Sequence, residues 1–245
     1  MRRYLLGWAV LTLGMAVAAL NSRAHLDPSA RGMQWEEGDP GDNRDLAETQ
    51  EMLRKLTSPT ELGVVPPDTP VVLMGTSNGG SMASRVAQLP HLDVAAAVIY
   101  ISNAAAFHEE GAHHPPMVMV PGAQDAGRAL ITNTTLAQDI DDPTLARLIV
   151  NTPDPVSDAL WTRIRGVDCT LGIGIGQALR GSGLVRPDGS VSADPRDDKR
   201  WVRHLSEQML PYESDISDVL VEAYGGHAPS SDQNAGVFDF VEAHL

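Results

Sequence analysis

A single cysteine, Cys169, in a chain of 245 residues excludes any intramolecular disulfide. The core must stand on packing alone, even in an exported protein where disulfides are permitted. Cys169 lies in RGVDCTLG, without a strand-to-helix context, and reads as an ordinary partly buried thiol rather than a nucleophile. Aromatic residues are scarce, at 4%, and Trp35, Trp161 and Trp201 are scattered. They form no stripe on which a polysaccharide would stack, so a cell-wall-binding module lacks support. Basic residues are also in short supply: 18 against 32 acidic ones, for a net charge of −14. Such a surface repels phosphate backbones and anionic lipid, which argues against nucleic acid and against stable membrane docking. No internal repeat is visible.

The one long apolar run is N-terminal. Arg2 and Arg3 precede an uncharged, mostly apolar stretch from Tyr4 to Leu20, and Ser22 and Ala24 fit the small-residue positions of a cleavage site. Residues 1–24 are therefore expected to be a secretory signal peptide, placing the protein outside the cell or in a periplasm. The other reading is an uncleaved anchor, because 17 residues is the lower edge of spanning length. The paired arginines hint at twin-arginine export. No cysteine is near enough to carry a lipid.

Residues 25–43 are polar and rich in Gly, Pro and Asp, as in a loop. DNRDLAETQEMLRKL then puts Leu46, Met52, Leu53 and Leu56 on one helical face, acids first and Arg54 and Lys55 last, as the helix dipole favours. VVLMG (71–75), AAAVIYIS (95–102) and PMVMV (116–120) are short, wholly apolar runs, as expected for strands buried on both faces. A helical pattern with Met82, Val86 and Leu89 separates the first two, which suggests βαβ units and a parallel sheet. Beyond residue 126 the pattern loosens into helix-like pieces, LAQDIDDPTLARLI and DKRWVRHLSEQML, with no clear strand. SDVLVEAYGGHAPSSD is expected to be one more strand and loop, and NAGVFDFVEAHL a closing helix. Gly172, Gly174 and Gly176 alternate and follow no strand, which rejects a dinucleotide-binding loop in favour of a lid or helix start.

GTSNG at 75–79 satisfies G-x-S-x-G. With 22 glycines and 16 serines, chance produces the pattern in roughly one such chain in eight, so the context carries the weight. The apolar strand before Ser77 and the helical spacing after it are what a nucleophile elbow requires. A serine nucleophile needs a base, and the base needs an orienting carboxylate. Asp125 follows the PMVMV run at the sheet edge where such folds place their sites. His227 follows two glycines that let a loop approach closely. The order Ser77, Asp125, His227 is the order this fold uses. Asp154 and Asp168 compete for the acid's role but follow no strand-like run, and His108, His113 and His114 precede Asp125. HEEGAHH matches no metal-ligand spacing, so no metal is expected. His204 and His244 read as surface residues, and His91 as a loop residue.

GDNRDLAETQEMLRKL followed by VPPDTPVVLMGTSNGGSMASRVAQL resembles the extracellular esterases of the α/β-hydrolase fold related to polyhydroxybutyrate depolymerases and feruloyl esterases. Their elbow commonly reads G-x-S-N-G-G with a methionine soon after, matched by Gly75, Ser77, Asn78, Gly79, Gly80 and Met82. Their acid lies in a G-x-x-D motif, matched by Gly122 to Asp125, and their histidine follows two glycines, matched by Gly225, Gly226 and His227. The resemblance is good over 40–126, moderate over 217–245 and poor between.

Two departures shape the expectation. Only about 52 residues lie between the signal and Ser77, room for roughly one strand and one helix. A gap of 101 residues separates Asp125 from His227, long enough for an inserted cap. The expected protein is α/β, with an α/β-hydrolase-like, mostly parallel sheet flanked by helices, shortened at its N-terminal edge. Its parts would be 25–126 and 217–245 for the core and 127–216 for the cap. The expected activity is ester hydrolysis through an acyl-serine, with the Asn78 N–H in the oxyanion hole and no cofactor. The substrate would be a small or polymeric ester. The alternative is a catalytically impaired hydrolase-fold protein that binds a ligand or partner.

Overall fold

A computed structural model describes residues 8–10, 16–18, 44–58, 69–89, 92–104, 114–124, 129–152, 155–226 and 231–245. Within the expected signal segment, β1 (Trp8–Val10) and β2 (Ala16–Ala18) pair as an antiparallel ribbon. Among the described residues no helix is long and apolar enough to cross a membrane.

The fold is α/β, with a four-stranded, all-parallel sheet flanked by helices. The leucine spacing of DNRDLAETQEMLRKL becomes α1 (Arg44–Thr57). The sheet follows: β3 (Val71–Thr76), β4 (Val94–Tyr100), β5 (Met117–Val120) and β6 (Ala146–Leu148), paired in chain order. Between them lie α2 (Asn78–Ala87), from β3 to β4, and α3 (Ala129–Ile140), from β5 to β6.

Strand alternation assigns the layers. Ala97, Ile99, Met117 and Met119 face Ala83 and Ala87 of α2 and Leu136 of α3. Both crossovers step the same way across the sheet and pack on the same face, so they share one hand, as the strong preference for one crossover hand requires. Val98, Tyr100, Val118 and Val120 face the other way, against Val237, Phe240 and Val241 of the last helix, α6 (Ser231–Glu242). Helices on both faces explain why β4 and β5 are apolar throughout. Helix α1 lies outside α2, joined through Leu46, Met82 and Val86.

The expected burial of VVLMG on both faces is corrected. β3 is the edge of the sheet among the described residues, and Met74 is 57% exposed. A second correction concerns LARLI, which reads as helix-like. Its Ala146–Leu148 portion is β6, a strand of three residues with exposed Arg147, too short to show alternation.

Residues 156–220 build a second core from Trp161, Ile175, Leu179, Trp201, Ile216 and Leu220 with smaller neighbours. The expected cap at 127–216 is thus divided differently by packing: α3 and β6 belong to the sheet layers, and the separate core begins at Val156. The two scattered tryptophans are its centre, at 0% and 1% exposure. The glycine patch lies inside α4 (Cys169–Gly181), not in a lid loop. A methyl group on Gly172 would make ordinary van der Waals contact, at 3.4 Å, with the Asp158 carbonyl oxygen and Trp161 Cβ, which places this face of α4 against the 3-10 turn at Asp158–Arg163. Cys169 is exposed, not partly buried.

The expected strand in SDVLVEAY is corrected as well. Glu213–Gly225 is a helix, α5. Ile216 and Leu220 recur at a spacing of four and are fully buried, with Glu213 and Asp215 in the first turn. The apolar run VLV mimics a strand only when read without these flanks. Gly226 ends the helix at φ 72°, where its N–H donates to the Glu222 carbonyl oxygen.

Candidate functional site

All four strands point the same way, so Ser77, the Ile101–Asn103 turn, the Gly122–Gln124 turn and Asn151 share the C-terminal edge of the sheet. In an open parallel sheet this edge is where ligands bind.

Ser77 sits between β3 and α2 with φ 55° and ψ −126°. This is the mirror of an extended conformation, natural to glycine and costly for serine, by about 1–3 kcal/mol. The turn is fixed from both sides. The Ser77 N–H donates to the Tyr100 carbonyl oxygen at 2.9 Å, and the Ser77 carbonyl oxygen accepts from Gly80 at 2.8 Å and Ser81 at 3.1 Å. Gly75 and Gly80 are explained by the same closeness. A Cβ on Gly75 would run into the Gly79 carbonyl, and one on Gly80 would lie 2.7 Å from Ser102 Cβ. Asn78 is the first residue of α2, so its N–H lies at the positive end of the helix dipole.

The neighbouring strand ends in a second strained residue. Ile101 has φ 51°, is buried, and donates to the Val120 carbonyl oxygen at 2.8 Å. β-Branched residues rarely adopt this conformation. The turn after it is fastened by uncharged side chains. The Ser81 and Ser102 hydroxyls bond at 2.8 Å, Asn133 donates to the Ser102 carbonyl oxygen at 2.9 Å, and Thr132 donates to Asn103 Oδ1 at 2.7 Å. Burial pushes the Tyr100 phenol above its usual range, so it stays neutral.

Asp125 and His227 lie outside the described residues. The residues just before them are described, and the two turns meet. The Gln124 N–H donates to the Gly225 carbonyl oxygen at 3.3 Å, and Asn151 Nδ2 donates to the Gly226 carbonyl oxygen at 2.7 Å. Asn151 also accepts from the Ala123 N–H through its carbonyl, at 3.0 Å, and donates its own N–H to the Pro121 carbonyl oxygen at 2.8 Å. A Cβ on Gly226 would lie 2.9 Å from the Asn151 carbonyl oxygen. Only glycine fits this close approach at positive φ.

The described competitors, Asp168, His114, His204 and His244, have other settings. Asp168 caps α4, accepting from the Leu171 N–H at 2.8 Å. His114 precedes β5, at the opposite end of the sheet, about 20 Å from the C-terminal edge at strand spacing. His204 is exposed, as expected. His244 is partly buried, its ring nitrogens 2.7 Å from the Phe240 carbonyl oxygen and 2.8 Å from that of Thr144. It ties α6 to the turn before β6. Asp154, His91, His108 and His113 lie outside the described residues. Among the described residues no three His, Cys, Asp or Glu side chains gather as a metal site would need.

A surface groove on the second core is lined by Asp194, Asp197, Asp198, Lys199, Arg200 and Arg203. One pair of its charges is engaged within it: Arg200 bonds Asp198 at 2.6 Å and holds its carboxyl down at about 2. No serine, threonine or cysteine is among the residues that line the groove. Sequence reasoning missed Asn151, which lies in the unremarkable stretch IVNTP; only its place just beyond β6 reveals it.

No protein-family model, curated protein or solved structure matches the chain.

Proposed function

We propose that the protein is an exported serine hydrolase that cleaves carboxylic esters through an acyl-serine intermediate, on an α/β-hydrolase fold like that of polyhydroxybutyrate depolymerases and feruloyl esterases. The observation that carries this reading is the backbone of Ser77, held at φ 55° on a strand-to-helix turn. Strain of this kind is kept where it aims a side chain, and a nucleophile elbow at this turn would present the hydroxyl above the C-terminal edge. Asp125 would follow Gln124, and His227 would follow Gly226, from a joint closed by hydrogen bonds at 2.7–3.3 Å. Neighbouring strands are about 4.8 Å apart, so the end of β5 stands about 10 Å from that of β3. One imidazole hydrogen-bonded at both ends spans most of that distance, and side-chain reach supplies the rest.

In this reading His227 takes the Ser77 proton as Oγ attacks the ester carbonyl, and returns it to the leaving alcohol. Asp125 fixes the ring and stabilises the imidazolium. The Asn78 N–H stabilises the oxyanion at the head of α2. Water then repeats the cycle and frees the acid. Apart from the ester and water, every group in the cycle belongs to the chain.

A second reading has one observation in its favour. β3 is an edge strand among the described residues, whereas hydrolases of this kind take a second oxyanion donor from beyond that edge. Without that donor the chain would be a catalytically impaired hydrolase-fold protein that acts as a binding or interaction module. A fluorophosphonate probe decides. Labelling of the wild type, lost in Ser77→Ala, supports the hydrolase. An unlabelled wild type supports the binding module, and a labelled Ser77→Ala removes Ser77 as nucleophile.

A further inference from the structure

We infer that Asn151 is a positioning residue that sets the register between the loop carrying the acid and the loop carrying the base. The inference rests on the serine-hydrolase reading and deepens it. The chain leaves the sheet after β6 and spends residues 156–220 on a second core before it returns at Gly226. A base delivered by so long a detour needs a fixed point of return. Asn151 supplies it, 75 residues earlier in sequence, through Nδ2 on the Gly226 carbonyl oxygen at 2.7 Å. The same residue is bonded through its main chain to Pro121 at 2.8 Å and Ala123 at 3.0 Å, in the turn that leads to Asp125. Its side chain is wholly buried. One asparagine thus grips both loops, a single residue before His227 on one side and two before Asp125 on the other. An amide suits the place: it donates to a carbonyl with no charge, where a carboxylate would repel that oxygen and a lysine would need a counter-ion.

The test compares wild type, Asn151→Ala and Asn151→Ser on p-nitrophenyl acetate, with kcat expressed per fluorophosphonate-reactive site so that unfolded molecules do not count. If the latch positions the base, Asn151→Ala lowers kcat at least tenfold with KM changed less than about threefold. It also moves the acid limb of the kcat/KM profile to lower pH, because an imidazole displaced from its carboxylate loses the interaction that favours its charged form. Asn151→Ser keeps a donor on a shorter arm and recovers part of the kcat. A folded, labelled Asn151→Ala with wild-type kcat and pH limb overturns the latch and leaves the hydrolase standing. Should Asn151→Ala fail to fold, Asn151→Ser decides alone, by a lowered kcat and a shifted limb or by neither. A wild type that takes no label removes the hydrolase reading, and the latch's role in catalysis with it.

Discussion

At Ser77 the backbone and the side chain make opposite demands. The φ of 55° would suit glycine, and the hydroxyl is what the chemistry needs. Ser77→Gly is therefore expected to stabilise the protein by about 1 kcal/mol, a rise in Tm of roughly 2–4 °C for a chain of this size, while abolishing labelling and ester hydrolysis. A Tm that falls would mean the turn is not strained as described. An imidazole must be neutral to accept the serine proton, and its ordinary charge change falls near pH 6.5. Ester hydrolysis should fall as pH drops below about 6, and a flat kcat/KM from pH 5 to 8 would count against His227. The GTSNG motif made Ser77 legible from the sequence, because Gly75 is demanded by local closeness to the Gly79 carbonyl. Asn151 was not legible, since its partners lie at Gly122–Ala123 and Gly226, far apart in the chain.

At the level of elements, apolar runs bounded by glycine or proline were sound guides where both faces are covered. β4 and β5 emerged as read, and α1, α2 and α6 followed their spacing. The failures share a cause. A short apolar run does not say which period it belongs to, so VLVEAY read as a strand and folded as α5, and LARLI read as helical and contributed β6. Glycine placement makes a sharper test. Gly80→Ala would push a methyl to 2.7 Å from Ser102 Cβ and 3.1 Å from the Tyr100 carbonyl oxygen. It should cost about 1–3 kcal/mol, read as a lower urea midpoint with unchanged slope. An unchanged midpoint would show that α2 has room to shift from β4.

For the whole molecule, two cores share one chain, the sheet's and that centred on Trp161 and Trp201. Trp201→Ala is expected to cost about 3–5 kcal/mol, detectable by denaturant unfolding followed through circular dichroism. His244 closes the sheet's far layer onto the turn at Thr144, at 2.8 Å. His244→Ala should lower Tm by roughly 2–4 °C through the loss of about 1 kcal/mol of hydrogen bonding, and an unchanged Tm would make that contact energetically idle. The sequence by itself determined the α/β class, the buried strands and the strand-to-helix setting of Ser77. Each is written in residues adjacent along the chain, where local sterics and the alternation of apolar side chains act. Only the tertiary structure decided that β3 lies at an edge, that the tryptophans form a second core, and that Asn151 joins the turn before Asp125 to Gly226. Those contacts are made between distant segments, and their free energy depends on closeness that no local pattern encodes.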